Sequence, residues 1–216
     1  MNTKISFTYR DAANYKIQNS CVLAGEINSN MIAMILDACE DGERFIPEAV
    51  GLPHATFEDI GYSYHDDLDH PWFELGKYNF ELTFDPPSVD LTLPRLVANF
   101  VVHKNHWEDD VDEDTVNTDL YDKLFEEQSK FKEYLKTQTT DVILDRAYEF
   151  CIREDIICLF DGGFELPVDQ AAVLLMAPNA MDTLYGRWDD GESNHMQRMQ
   201  ESIEDYCKEQ IEQWNR

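Results

Sequence analysis

The apolar positions of the chain change their period near residue 110. Ile5, Phe7 and Tyr9 stand two apart within Lys4 to Tyr9, and Cys21 to Ile27 is a short apolar run interrupted by Gly25 and Glu26. Both segments predict strands, separated by an irregular or helical stretch from Asp11 to Asn19. Met31, Ile32, Ile35, Leu36 and Cys39 then recur at helical spacing, which predicts a helix from Asn30 to Glu40, capped by Asn28 or Ser29 and stopped by Gly42. Pro47, Gly51 and Pro53 make Phe45 to His54 extended or turning chain, and Ala55 to Asp69 continues as an irregular acidic segment. Trp72 to Phe84 alternates again and predicts one half-buried strand with Tyr78, Phe80, Leu82 and Phe84 on its inner face. Pro86, Pro87 and Pro94 punctuate a loop that leads to the apolar stretch Leu96 to Val102, whose Val101-Val102 end reads as the end of a strand.

Beyond residue 110 the pattern is helical. Leu120, Leu124, Phe131 and Leu135 form one stripe, and Thr140 caps a helix expected from Asp141 to Phe160, closed by Asp161-Gly162-Gly163. Pro167 opens a short helix carrying Ala171, Leu174 and Leu175, which Pro178 ends, and Asn179 to Trp188 forms another. The last segment, Ser193 to Trp214, places Met196, Met199, Ile203, Tyr206, Cys207, Ile211 and Trp214 on an amphipathic face. The fold class that follows is α+β, an N-terminal mixed strand and helix part followed by a mainly α-helical part. The expected partition is an α+β domain over 1–107, an acidic linker over 108–116 and a helical domain over 117–216.

Charge changes the picture more than any motif does. The chain has 44 Asp and Glu against 17 Lys and Arg, a formal net charge of −27 on 216 residues. The excess is −12 through Asp110 and −15 after it, so no single acidic tail accounts for it. A chain so charged repels nucleic acid and anionic membrane at long range and steers toward basic surfaces. Hydrophobic residues at 43% and aromatics at 12% argue for a packed core and against disorder. No apolar run approaches the ~18 residues of a membrane span, and five dispersed cysteines without a Cys-x-x-Cys pair read as reduced thiols, so a cytoplasmic chain without a membrane association is expected. Cys151 and Cys158, two helical turns apart, are expected to share a core face.

Two families resemble parts of the chain. Tyr121-Asp122-Lys123-Leu124, Asp145-Arg146-Ala147-Tyr148-Glu149, Arg153-Glu154-Asp155-Ile156, Leu166-Pro167-Val168-Asp169-Gln170-Ala171 and Leu184-Tyr185-Gly186-Arg187-Trp188 resemble a small helical domain of unknown function from Gram-positive gut bacteria, with Arg153 where that family usually has Lys. Tyr9-Arg10-Asp11-Ala12-Ala13-Asn14-Tyr15-Lys16, Gly25-Glu26-Ile27, Phe45 to Pro53 and Asp69 to Glu74 are similar to a second uncharacterised bacterial family, some of whose members are carried on mobile elements. Neither resemblance implies an activity or a catalytic residue. Together they imply an accessory protein, a fusion of two modules.

Candidate chemistry is sparse. His65, Asp66, Asp67, Asp69 and His70 could converge on a divalent ion if their loop folds back, although the spacing matches no established ligand set and a solvated loop is the plainer expectation. His103 and His106 are weaker candidates for the same reason. There is no Gly-x-Ser-x-Gly elbow, no phosphate-binding lysine motif and no informative carboxylate pair. Tyr62, Tyr64, Trp72, Phe73 and Tyr78 could line a groove, with an aromatic core under the sheet as the plainer alternative.

The expected protein is therefore a non-enzymatic, cofactor-free accessory factor that binds a basic protein surface and not nucleic acid directly. Its pointed form is a DNA mimic that occupies the groove of a defence nuclease, as an anti-CRISPR or antirestriction inhibitor does. Glu108, Asp109, Asp110, Asp112, Glu113 and Asp114 are the expected contact residues, with Asp66, Asp67 and Asp69 as a second patch. The alternatives are a metal or small-molecule binder using His65, Asp69 and His70, and a structural module that pairs through the 193–214 helix.

Overall fold

The computed structural model describes residues 1–191. The helix expected over 193–214, with Cys207, lies outside them. The α+β reading holds: an antiparallel sheet with two helices forms the N-terminal part, and helices dominate from residue 113 on.

Strand β1 (Asn2–Arg10) is the centre of the sheet. Thr3, Ile5, Phe7 and Tyr9 are buried and their neighbours half-exposed, the alternation that a strand covered on one face requires. Strand β2 (Lys16–Leu23) pairs along one edge from Thr3↔Leu23 to Arg10↔Lys16. The stretch from Asp11 to Asn19, expected to be irregular or helical, is instead a tight turn followed by the first half of β2. Asp11 donates its backbone N–H to Tyr15 O (3.1 Å), accepts Tyr15 N–H on Oδ1 (2.7 Å), and Asn14 takes φ +69°. Only Ile17 is apolar between Lys16 and Ser20, because this half of the strand lies largely in solvent, so it leaves no alternation to read.

The other edge of β1 holds β4 (Phe73–Glu74) and β5 (Phe80–Thr83), and β3 (Arg44–Phe45) pairs outside β4. The single strand expected from Trp72 to Phe84 is thus divided. Between Glu74 and Phe80 the five residues 75–79 stand opposite only Ser6 and Phe7, and the surplus is folded into a 3₁₀ turn at Lys77–Asn79. The Asn79 side chain fixes that turn by accepting Gly76 N–H at 2.8 Å. The insertion breaks the alternation, so Phe73 and Leu75 are buried while Tyr78, Leu82 and Phe84 are 84%, 51% and 89% exposed.

Helix α1 (Ser29–Ala38) starts where Asn28 Oδ1 accepts Met31 N–H at 2.9 Å. Helix α2 (Leu93–Val102) is capped by Thr92 and carries Pro94 in its first turn, where a missing N–H costs nothing. The strand end expected at Val101-Val102 is therefore helix. Periodicity alone does not separate a short buried helix from a strand, but Leu93, Leu96, Val97 and Phe100, all buried, have helical spacing. The sheet and these helices enclose an aromatic core. Phe7 meets Phe45 and Phe73 edge-on at 5.5 and 5.8 Å, Phe100 lies 5.3 Å from Phe45, and buried Trp107 donates its indole N–H to Ala38 O at 3.1 Å.

The chain forms two compact units, Met1–Leu120 with Glu165–Met176, and Tyr121–Phe164 with the chain from Ala177. Helix α3 (Glu113–Lys136) contains the division after Leu120. In the first unit, α6 (Val168–Met176) packs on α2, where Asp169 pairs with Arg95. Buried Asn117 is satisfied there by Leu166, whose O accepts its amide (2.8 Å) and whose N–H it accepts (2.9 Å).

The second unit comprises the remainder of α3, α4 (Thr140–Asp145), α5 (Ala147–Asp161) and α7 (Ala180–Gly191). The helix expected from Asp141 to Phe160 breaks at Arg146. Cys151 and Cys158 are exposed, contrary to the shared core face expected of them, because α5 turns Glu149 and Arg153 inward. Glu127 anchors the start of α7 by accepting Ala180 N–H (3.2 Å) and Met181 N–H (2.7 Å).

Candidate functional site

Both acidic groups lie in the first unit. Glu108, Asp109, Asp110, Asp112, Glu113 and Asp114 are all exposed. Glu113 and Asp114 occupy the first turn of α3, where the positive end of the helix dipole favours carboxylates. Asp112 caps that helix: its Oδ1 accepts Thr115 N–H (2.9 Å) and Thr115 Oγ1–H (2.7 Å), and these bonds hold its carboxyl below the usual aspartate range. The run is therefore partly structural, a helix start as well as a charged surface.

The second group is a turn. His65 O accepts the N–H groups of Leu68 and Asp69, leaving Asp66 and Asp67 exposed at the bend. Asp69 faces inward. Its Oδ1 accepts the Tyr9 hydroxyl at 2.7 Å and its Oδ2 accepts His65 N–H at 2.9 Å, and the Tyr9 bond above all lowers its pKa. Burial, then the bond to Asp69, push the Tyr9 phenol up to about 12.

Trp72 ties the two groups together. Its backbone N–H donates to His70 Nδ1 at 3.2 Å, and its indole N–H donates to Glu108 at 3.0 Å. Asp69 and Trp72 are three residues apart, no more than about 11 Å of chain. The acidic turn and the start of the acidic run thus share one region of the first unit, although Trp72 and Glu108 are 36 residues apart in the sequence.

The metal reading of the 65–70 segment finds no such arrangement. His70 places its ring edge-on to Tyr9 at 5.5 Å and its Nδ1 on Trp72, while Asp69 is engaged by Tyr9 and His65. Among the described residues, no three His, Cys, Asp or Glu side chains are grouped to hold a metal ion. The His103 ring bonds to Asn99 O and stacks on Trp107, and His106 pairs with Asp119, so those two are also directed apart. Burial raises the thiols of Cys21 to about 11 and Cys39 to about 12.

The aromatic candidates divide. Phe73 belongs to the core, Trp72 is half-buried, and Tyr62, Tyr64 and Tyr78 are exposed. Beside the acidic turn is a cavity of about 410 Å³ lined by Asp11, Tyr15, Phe57, Tyr62, Ser63, His65, Leu68 and Asp69. Tyr62, His65 and Asp69 stand out in the sequence, but Asp11, Tyr15 and Phe57 come from stretches without periodicity and do not. The backbone bond from Ala12 N–H to Leu68 O, 2.9 Å, joins the β1–β2 turn to the acidic turn and so assembles the cavity from both.

Residues 116–211 match the model of a family described as protein of unknown function, DUF3848. No curated protein and no solved structure matches the chain. Among the described residues, no helix is long and apolar enough to cross a membrane.

Proposed function

We propose that this chain is a non-enzymatic accessory factor that binds a basic protein surface through the carboxylates of Asp66, Asp67 and the 108–114 run. In its pointed form the surface is the nucleic-acid groove of a defence nuclease, and the chain acts as a DNA mimic of the anti-CRISPR or antirestriction kind. The observation that carries the reading is the net charge of −27. At one charge per ~1.7 Å of duplex this equals the charge on about 46 Å of DNA, close to the ~44 Å expected for the diameter of a compact chain of this length. The exposure of Asp66, Asp67, Glu108, Asp109, Asp110 and Asp114 makes that charge available to a partner.

The test is a pull-down from bacterial lysate at low salt, eluted in salt steps and read by mass spectrometry, followed by affinity measurement on the recovered partner. A nucleic-acid enzyme whose affinity for the chain falls at least about tenfold between about 50 and about 300 mM salt supports the reading, since exposed charges are screened over ~8 Å at physiological ionic strength. An affinity that is flat over that range overturns the charge-mimic mechanism.

A further inference from the structure

The cavity beside the acidic turn is built differently from a solvated loop. Phe57 is met edge-on by Tyr15 (6.4 Å, 89°), by Tyr62 (6.0 Å, 83°) and by Tyr9 (5.7 Å, 65°). Tyr15, Phe57 and Tyr62 all line the cavity, and rings set at near right angles make a corner that leaves open the faces that a stacked cluster would cover. Tyr15 and Tyr62 are 68% and 66% exposed, so their faces are not used up in packing. The corner is preorganised. Asp59 accepts Thr56 N–H at 2.7 Å, Tyr62 N–H donates to Phe57 O at 3.1 Å, and Gly61 supplies the left-handed residue between them at φ +98°.

Two carboxylates complete the wall. Asp11 is held by Tyr15 N–H and Asp69 by the Tyr9 hydroxyl and His65 N–H, so both are oriented by neutral donors. Among the described residues neither forms an ion pair with Lys or Arg, and the adjacent Arg10 is committed to Glu74 at 2.7 Å. Negative ring faces and uncompensated carboxylates around a cavity of about 410 Å³, within the ~300–1,000 Å³ of small-ligand sites, select for one chemistry. An alkylated ammonium has apolar methyl groups to fill the ring corner and a diffuse positive charge for the faces and carboxylates, and it is weakly hydrated enough to enter. A metal ion holds its water shell too tightly to trade it for ring faces and so gains little from the three rings.

From these walls the geometry points to an alkylammonium-binding site formed by Tyr15, Phe57 and Tyr62 with Asp11 and Asp69. The group can come from a free quaternary amine or from a methylated lysine side chain, and the site stands independently of the charge-mimic reading.

The experiment titrates the full chain by calorimetry at pH 8 in about 150 mM NaCl to screen non-specific cation attraction. The probes are choline, its uncharged carbon isostere 3,3-dimethylbutanol and a short trimethyllysine peptide. Expected is saturable binding of choline, or of the peptide alone, with the first outcome assigning the free amine and the second the side chain as source. The isostere binds at least about tenfold more weakly than choline, Tyr62→Ala loses at least about tenfold, and Tyr62→Phe retains most of the affinity. Tyr62 is exposed, so its variants leave the core intact, which circular dichroism checks. Binding of neither cation, an isostere that binds as tightly as the cation that binds, or an unchanged affinity of that cation in Tyr62→Ala overturns the site.

Discussion

Arg153 lays its Nε and Nη2 donors on one carboxylate oxygen of Glu149, at 3.0 and 2.7 Å, and both side chains are buried one turn apart on α5. Arg146 donates to the second Glu149 oxygen at 2.6 Å, and Asp182 from α7 accepts from Arg153. The guanidinium carbon also lies 4.2 Å from the centre of the Phe131 ring and 5.9 Å from that of Tyr185. One side chain thus joins α3, α5 and α7 in the second unit.

Arg153→Ala should therefore destabilise the second unit by about 3–5 kcal/mol, because it leaves Glu149 and its charge buried with two of these three donors gone. Arg153→Lys should lose less but still measurably, since an ammonium cannot reproduce the planar fork or the stacking on Phe131. Urea unfolding followed by circular dichroism reads both. Equal midpoints for wild type and Arg153→Ala would show that the pair contributes nothing.

How legible this was in the sequence depends on what each residue faces. β1 and α1 were readable because one side of each is covered and the other is not, so Ile5, Phe7 and Tyr9, or Ile35 and Cys39, announce themselves by spacing. The Trp72 to Phe84 segment misled because its five-residue excursion over Leu75–Asn79 inverts which residues point inward. The inward face of α5 misled for another reason: its core contacts are made by Glu149 and Arg153, which a hydrophobicity pattern counts as surface. The acidic runs were visible as charge, but that Asp112 also caps α3 shows only in its bonds to Thr115. The cavity residues Tyr15 and Phe57 lie in turns, where no period exists to mark them.

The Tyr9–Asp69 bond sets two limits on stability. Burial first, and then the bond to Asp69, raise the Tyr9 phenol to about 12, so the contribution of neutral Tyr9 is complete below about pH 10 and is lost as pH rises from 10 through 12, where the unfolded chain ionises first. Asp69 is lowered, so its contribution is complete above its ordinary value of about 4 and is lost as pH falls through its folded value. The stability difference between wild type and Tyr9→Phe should be largest near pH 7 and shrink toward both extremes. Urea midpoints at pH 3, 7 and 11 check this, and parallel profiles for the two proteins would count against it.

The cysteines should divide by reactivity. In a Cys207→Ser background, Cys151 and Cys158 are exposed, whereas Cys21 and Cys39 are buried with thiols raised to about 11 and about 12. At pH 8 the buried pair has a thiolate fraction lower by on the order of 100-fold or more than an ordinary thiol, before access is considered. A disulfide reagent should label two thiols promptly and the other two only on unfolding. Prompt labelling of all four would contradict the packing of Cys21 under the sheet and Cys39 at the end of α1.

Asp112 allows the structural and electrostatic uses of the acidic run to be separated. Its carboxylate satisfies Thr115 N–H at the start of α3, and an asparagine carbonyl oxygen can accept the same bond, whereas alanine cannot. Asp112→Asn, which keeps the accepted bond but not the charge, should lower the urea midpoint slightly, and Asp112→Ala, which loses both, should lower it further. Both remove the same unit of charge from the acidic run, so both should weaken low-salt binding to the partner recovered by pull-down to the same degree, with the difference vanishing at high salt. If only Asp112→Ala weakens binding, the residue acts through the fold of α3 and not through its charge.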